Sequence, residues 1–310
     1  MPQTRIGVDE NGLGARLGPL VVTGVMAAVE PGHDRRVASA LRQIPSELLA
    51  DSKRVVRHGE VRLGEAWARV MAPTAKTPDQ VFMQLSLKPR HWLEELCPEH
   101  ASSQCWSTEL ERFVAHAELV GRVIDCQKQL RDAGMVLNKA LVQVTCPHRL
   151  NLARSQGQHR FLVDLHAMER LVLALRACAN GPVDAVCGRV GGIREYPRYF
   201  GPLGERLHSV VACDDASSVY DFPGIGRVAF VRDADDTDPL VMVASLVGKY
   251  VRELLMTRVA RFYASELHLG RTPSGYHDPV TERFVAATRL ARSKAKIPDS
   301  CFERSRTRER

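Results

Sequence analysis

The sequence predicts an α/β fold in which a mixed central β-sheet is flanked by helices. Two apolar strand patterns lie near the N-terminus, at residues 4–9 and 20–29, and a glycine-rich turn joins them. Three short β-like runs follow much later, and a long helical pattern opens at Pro239. Strands that come first and then alternate with helices are typical of an α/β domain with a mixed sheet.

Each later element has its own pattern. Residues 60–155 are predicted to form a mostly helical insertion, because apolar residues between Leu110 and Ile124 recur at helical spacing. The same spacing predicts a helix from Phe161 to Leu175. The three β-like runs are Val183–Cys187, Leu207–Ala212 and Arg227–Arg232. The last helix is expected to run from Pro239 to about residue 268, since proline is favourable in a first helical turn.

Length and composition describe an ordinary globular chain. The 310 residues are 25% charged and 45% hydrophobic, which suits one large or two small domains. We expect a single domain over residues 1–303 and a disordered basic tail over 304–310. No apolar run approaches the ~18 residues that a membrane span needs. The N-terminus does not resemble a signal peptide. We therefore expect a cytoplasmic monomer without a membrane partner.

The charge of the chain favours an anionic partner. The formal net charge is +7, and most of the 43 basic residues are arginine. A guanidinium group matches the geometry of a phosphate, so this composition suits contact with nucleic acid. A GC-rich genome would produce the same arginine bias without any such function.

The cysteines do not suggest a metal site. None of the eight forms a C-x-x-C pair, and a chain without a leader is expected to keep its thiols reduced. Residues 97–105 and 146–148 contain cysteine and histidine that could be imagined as zinc ligands. Their spacing is irregular, which favours scattered reduced cysteines over a zinc site.

The strongest local signal is the segment 7–20, where a strand ends in the adjacent carboxylates Asp9 and Glu10 and three glycines follow. Paired acids at a strand end can hold a hard cation such as Mg²⁺, and glycines allow backbone N–H groups to approach a sugar or phosphate. A solvated turn would explain the same residues if they stood alone.

A second acidic cluster, residues 233–238, precedes Pro239 and contains four aspartates. Capping of the long helix would use such acids. Four aspartates are more than capping needs, so residues 233–238 and the pair Asp9 and Glu10 are candidates for a common metal site. Residues 51–53 and 274–279 are each explained as surface turns when taken alone. On the long helix, Lys249 follows Ser245 by four residues and lies on the same side.

Taken in order, these segments resemble type 2 ribonuclease H, the ribonuclease HII family. Residues 9–20 (DENGLGARLGPL) are similar to its opening D-E-A-G-R-G-x-x-x-G-P-[LV], and residues 51–53 (DSK) to its D-S-K. Residues 234–249 resemble its A-D segment and the following V-x-A-A-S-I-x-A-K, and residues 274–281 resemble S-G-Y-x-x-D-P-x-T. Residues 191–196 (GGIREY) resemble a G-G-R-x-x-Y segment of enlarged bacterial members.

The resemblance implies an RNase H-like catalytic domain and an endonuclease that hydrolyses the RNA strand of RNA–DNA hybrids or of ribonucleotide-containing duplexes. It implies a two-metal mechanism with Mg²⁺ or Mn²⁺, in which Asp9, Glu10 and Asp235 are catalytic and bind the metals. Lys53 would steady a phosphate and Tyr276 would pack against a sugar. The substrate-binding residues that it implies are Gly12, Leu13, Gly14, Lys53, Ser245, Lys249 and Tyr276.

The family's fourth carboxylate has no counterpart. That aspartate closes a strand before a glycine, and one register puts Cys187 in its place, while alignment on residues 191–192 puts Gly188 there. Asp184 lies on the opposite face of the strand from Cys187. A thiol is a poor ligand for Mg²⁺. Two hypotheses follow: a divergent metal-dependent endonuclease, or a catalytically weakened or inactive relative that binds nucleic acid without cleaving it. Leu13, in place of the family's arginine, is a further departure.

Overall fold

A computed structural model describes residues 2–49, 60–95, 97–98, 101–264 and 272–305. Its centre is a seven-stranded mixed sheet with the strand order β3-β2-β1-β4-β7-β6-β5. The strands are β1 (Gln3–Asn11), β2 (Leu20–Val29), β3 (Met135–Thr145), β4 (Val183–Gly188), β5 (Ser209–Cys213), β6 (Ser217–Phe222) and β7 (Gly226–Val231).

Strands β1, β4 and β7 are parallel neighbours, and the other pairs are antiparallel. The carboxyl ends of β1, β4 and β7 therefore meet at one edge of the sheet. The predicted α/β class with a mixed sheet is confirmed.

Helices cover both faces of the sheet. Those of the first half are α1 (Asp34–Gln43), α2 (Arg62–Met71), α3 (Pro78–Leu85), α4 (Arg90–Glu94), α5 (Ser102–Trp106), α6 (Ala117–Asp132) and α7 (Pro147–Ser155). Those of the second half are α8 (Arg160–Arg176), a 3-10 turn (Pro197–Tyr199), α9 (Ala234–Thr237), α10 (Pro239–Ala264), α11 (Pro279–Ala287), α12 (Arg289–Lys294) and α13 (Asp299–Phe302).

Two long helices pack against opposite faces of β1. A Cβ atom on Gly7 would lie 2.4 Å from the backbone of Leu240, so α10 lies directly on this face. On the other face, a Cβ atom on Gly24 would meet Leu171 and Leu175 of α8 and also Val8. Because side chains alternate along a strand, Asp9 belongs to the α10 face and Glu10 to the α8 face.

The region 60–155 contains more than helices. The sequence prediction missed β3, which pairs with β2 along its whole length and makes this region part of the sheet. Buried and exposed side chains alternate along β3, but this alternation is interrupted at Asn138 and Lys139, which are both exposed. At this point the pairing register of β3 with β2 shifts, between Met26 and Ala27 of β2. A bulge of this kind breaks the period of two on which strand prediction depends.

The remaining elements are close to the predictions. The strand patterns at 4–9 and 20–29 are β1 and β2, and the three later β-like runs are β4, β5 and β7. Strand β6 was missed. Helix α10 begins at Pro239 as predicted and is described to Ala264, and the rest of its predicted range lies outside the described residues.

Candidate active site

The cavity at the carboxyl ends of β1, β4 and β7 has a volume of about 540 Å³. It collects most of the residues that the motifs singled out. Those that line it are Asp9, Glu10, Gly12, Leu13, Gly14, Asp235, Ser245, Lys249 and Tyr276. Lys53, together with the rest of its DSK segment, lies outside the described residues.

Asp9 and Glu10 point to different faces of β1, yet both reach the same point beside β4. A Cβ atom on Gly188 would lie 3.3 Å from Oδ1 of Asp9 and 3.8 Å from Oε2 of Glu10. Asp9 is buried and Glu10 is half-buried. Two carboxylates thus converge on a position where the chain has no side chain.

Strand pairing decides between the two registers for the missing aspartate. Val8 is the partner of Cys187 in the parallel pair of β1 and β4, which sets Gly188 beside Asp9. The Cys187 side chain is fully buried in the apolar core between the sheet and α8, and burial raises the pKa of its thiol. This corrects the first register: the residue that faces the carboxylates is Gly188, and Cys187 does not line the cavity.

Asp184 is also outside the cavity. It pairs with Arg5 near the start of the parallel strands, whereas the cavity lies at their carboxyl ends. It therefore cannot replace a carboxylate at position 188 without a change of fold.

The acidic cluster 233–238 has two separate roles. Asp238 caps α10, where its Oδ1 accepts hydrogen bonds from the backbone N–H groups of Leu240 (2.9 Å) and Val241 (3.1 Å). Asp235 lies on the short helix α9 and lines the cavity. Capping thus explains Asp238, whereas Asp235, the aspartate selected by the motif, lines the same cavity as Asp9.

The glycine-rich turn lies against a buried arginine. Gly12 has a φ of +88°, and a Cβ atom there would lie 2.4 Å from Nε of Arg252. Both the backbone conformation and the contact require glycine. From the other side, Nη1 of Arg304 donates a 2.6 Å hydrogen bond to the carbonyl oxygen of Gly12.

Helix α10 approaches β1 closely at Gly248. A Cβ atom at this position would lie 2.7 Å from Oγ1 of Thr23 and 3.0 Å from Nδ2 of Asn11. The close approach is possible because residue 248 has no side chain. It brings Ser245 and Lys249 to the wall of the cavity.

The segment that carries Tyr276 is a compact turn fixed to the glycine-rich segment. The carbonyl oxygen of Gly275 accepts hydrogen bonds from the N–H groups of Arg16 (2.8 Å) and Leu17 (2.9 Å). Asp278 caps α11 and bonds to Ser274. The exposed Tyr276 ring lies 4.6 Å from the guanidinium carbon of Arg252.

Sequence reasoning missed Arg252 and its neighbour Glu253, which also line the cavity. Arg252 is buried, donates to Oε1 of Glu253 (3.2 Å) and donates to the carbonyl oxygen of Ser274 (3.1 Å). The signal was present in the helical period, because residues 245, 249 and 252 share one face of α10. Arg189, Arg232 and Asp233 are further lining residues that were not predicted.

Carboxylate oxygens are the donors that Mg²⁺ and Mn²⁺ prefer, so Asp9, Glu10 and Asp235 suit such an ion in kind. Within the described ranges, no three His, Cys, Asp or Glu side chains stand close enough together to hold a metal ion. Gly188 supplies no oxygen at the point where Asp9 and Glu10 converge. The donors are therefore right in kind, but among the described residues only Asp9 and Glu10 converge beside Gly188, and Asp235 does not complete a three-ligand group with them.

No protein-family profile and no curated protein sequence matches the chain. Several solved structures of ribonucleases H are similar to the chain. Ribonuclease HII of Archaeoglobus fulgidus, in its complex with PCNA, is similar with a TM-score of 0.45 and 18% identity, over 99% of this chain and 96% of that one. Ribonuclease H2 of Pyrococcus horikoshii has a TM-score of 0.47 and 15% identity, over 97% of this chain and 92% of that one.

A third neighbour is Bst ribonuclease HIII in complex with Mn²⁺, with a TM-score of 0.47 and 15% identity. The similarity covers 97% of this chain and 66% of that one. No helix in the described part of the chain is long and apolar enough to cross a membrane.

Proposed function

We propose that the chain is a ribonuclease H-type endonuclease that hydrolyses the RNA strand of RNA–DNA hybrids. One observation carries the proposal: segments that are far apart in sequence bring Asp9, Glu10, Asp235, the glycine-rich turn and Tyr276 to a single cavity. These are the residues that the motifs select, and their three carboxylates line the same open pocket.

Asp9, Glu10 and Asp235 would hold a divalent cation, Mg²⁺ or Mn²⁺. When bound, such an ion lowers the pKa of water and polarises a phosphoryl oxygen. The two-metal arrangement implied by the resemblance needs a further ligand. Lys53 is proposed to steady a phosphate, as the resemblance implies.

The other lining residues would position the nucleic acid. Gly12, Leu13 and Gly14 offer backbone atoms with little steric hindrance, which suits contact with a ribose 2′-hydroxyl. The cationic Lys249 and the hydroxyl of Ser245, which line the same cavity, suit a phosphate. Tyr276 presents an exposed ring on which a sugar can pack.

In a second candidate function, the chain binds nucleic acid in the same cavity but does not cleave it. It is favoured by the geometry at Gly188, where Asp9 and Glu10 converge and the motif's fourth aspartate is absent. In this case the chain binds RNA–DNA hybrids, and the weak cation site limits hydrolysis. A monomeric state stays a prediction for both functions.

Incubation of the purified chain with an RNA–DNA hybrid and with a duplex that contains one ribonucleotide, in Mg²⁺ and in Mn²⁺, separates the two functions. The proposed endonuclease cleaves at least one of these substrates in at least one of the metals. Salt-dependent binding without cleavage in any combination would reject hydrolysis and leave the binding function.

A further inference from the structure

A second groove adjoins the candidate active site on the far side of the glycine-rich turn. We name it the basic groove and define it by Arg154, His159, Arg160, His277 and Arg304. Its volume is about 540 Å³, and Leu13 lines both it and the active-site cavity. The two cavities are therefore neighbours that share one wall.

Of the four arginines that line the basic groove, Arg16 is paired with Glu303 (2.7 Å), and the other three have no ion pair among the described residues. Arg154 donates to the carbonyl oxygen of Ser305 (2.7 Å), and Arg304 donates to the carbonyl oxygens of residues 12, 13 and 18. Neither these two arginines nor Arg160 forms an ion pair within the described ranges. Glu282 is the acidic residue of the groove wall.

Arg304 links the two sites electrostatically. It lies within reach of the positive charges of Arg252, in the active-site cavity, and of Arg160, in the basic groove. Burial first, and then these two like charges, lower the pKa of Arg304 to about 9.

We propose that the basic groove binds the phosphodiester backbone of the same nucleic acid that enters the active site, on one side of the scissile bond. This inference rests on the proposed function. A nucleic acid carries a regular row of charges, about one per 3.4 Å of axis in each strand, which suits arginines distributed along a groove better than a small anion does. Guanidinium groups also match phosphate geometry. The apolar side chains of Leu13 and Leu150 would lie against the sugars.

Arg160 is the residue with which to test the inference. Its side chain is exposed, its guanidinium carbon lies 5.5 Å from the centre of the Phe161 ring, and its charge repels that of Arg304. Arg160→Gln therefore removes a charge without removing a hydrogen bond of the described fold. Arg35→Gln on α1 is the matched control, because Arg35 is exposed near the opposite end of the sheet.

The measurement is the affinity of the full chain for a labelled RNA–DNA hybrid in EDTA, at several salt concentrations. Arg160→Gln should weaken binding about tenfold and reduce the slope of log K against log salt by about 0.9, the value for one lost phosphate contact. Arg35→Gln should change neither quantity. An Arg160 variant with the affinity and slope of the wild type would overturn the proposal, and so would a wild type that shows no salt-dependent binding.

The length of the substrate gives a second readout. When the hybrid is shortened at one end, the defect of Arg160→Gln should disappear, and when it is shortened at the other end, the defect should remain. A defect that is independent of both ends contradicts a backbone contact at a fixed distance from the active site. Competition by polyglutamate as effective as competition by DNA of equal charge would identify a general anion surface instead and overturn the proposal.

The inference and the proposed function fail separately. If the wild type does not cleave but Arg160→Gln weakens binding, hydrolysis is rejected and the groove stands. If the wild type cleaves and Arg160→Gln binds and cleaves like the wild type, the groove is rejected and hydrolysis stands.

Discussion

Gly188 lies directly beside Asp9, so that a Cβ atom on Gly188 would stand 3.3 Å from the Oδ1 atom of Asp9. The same atom would be 3.8 Å from Oε2 of Glu10. A side chain at this position would enter the gap between the two carboxylates. The geometry therefore identifies the place from which a fourth carboxylate would have to come.

Gly188→Asp should strengthen the cation site. Without metal, the added carboxylate repels Asp9 and Glu10 and lowers the stability of the chain, and a divalent ion relieves that repulsion. We expect Mn²⁺ to bind about tenfold more tightly, which corresponds to about 1.4 kcal/mol. The check is calorimetric titration with Mn²⁺ and the rate of hybrid cleavage. Gly188→Asn is the uncharged control of equal size, and equal Mn²⁺ affinity for both variants would contradict the assignment.

Cys187→Asp should destabilise the protein without creating a metal ligand. Cys187 is packed in the apolar core beneath the sheet, where burial disfavours a charged carboxylate. We expect a loss of about 3 kcal/mol or more in the free energy of unfolding. Cys187→Ala, which introduces no polar group, should cost less. Urea denaturation measures both. A stable Cys187→Asp variant with increased metal affinity would show that the register is wrong.

Asp164 gives the stability of the chain a pH dependence. The side chain is fully buried in α8, and neither oxygen has a hydrogen-bond partner among the described residues. Burial, and secondarily the charge of Asp9, raise its pKa well above the ordinary value. Because the folded state holds a proton that the unfolded state releases above about pH 4, the wild type should lose stability as pH rises towards the pKa of the folded state.

Asp164→Asn removes this dependence. The difference in unfolding free energy between the variant and the wild type should therefore increase from pH 4.5 to pH 8, with a limiting slope of about 1.4 kcal/mol per pH unit. Asp221→Asn, which changes an exposed acid on β6, serves as the control for the loss of a surface carboxylate. A difference for Asp164→Asn that stays constant over this range would mean that the carboxyl group is not buried as described.

The C-terminal segment fixes the glycine-rich turn. Arg304 donates hydrogen bonds to the carbonyl oxygens of Gly12 (2.6 Å) and Gly18 (2.8 and 2.9 Å), and its N–H group donates to the carbonyl oxygen of Arg16. Residues 304 and 305 are therefore ordered, contrary to the predicted tail, and residues 306–310 lie outside the described part of the chain.

Arg304→Ala should leave these carbonyl groups unpaired and cost roughly 1–3 kcal/mol of stability. Hydrogen exchange of the amides of residues 12–18 should accelerate more than exchange of the amides in β6. Arg304→Lys should not rescue the effect, because an ammonium group cannot reproduce the fork of the guanidinium. Unchanged exchange in the turn would contradict the role of Arg304 as a positioning residue.

The sequence predicted those features that depend on local pattern. Strand β1 with Asp9 and Glu10, and helix α10 with Ser245 and Lys249, follow from periodicity and from the order of the motifs. Features that depend on long-range pairing were not predictable in this way. The choice between Cys187 and Gly188 needed the register of β4 against β1, and the order of Arg304 depends on contacts with residues almost 300 positions away.

Asp9 is proposed to belong to a hydrolytic cation site, and the rate of hybrid cleavage by Asp9→Asn, compared with that of Asp184→Asn, tests this directly. Both variants remove one carboxylate from parallel neighbouring strands, but only Asp9 lines the cavity. We predict that Asp9→Asn lowers the rate in Mg²⁺ or Mn²⁺ by on the order of 10²-fold or more, while Asp184→Asn cleaves like the wild type. Cleavage by Asp9→Asn at the wild-type rate would contradict the account.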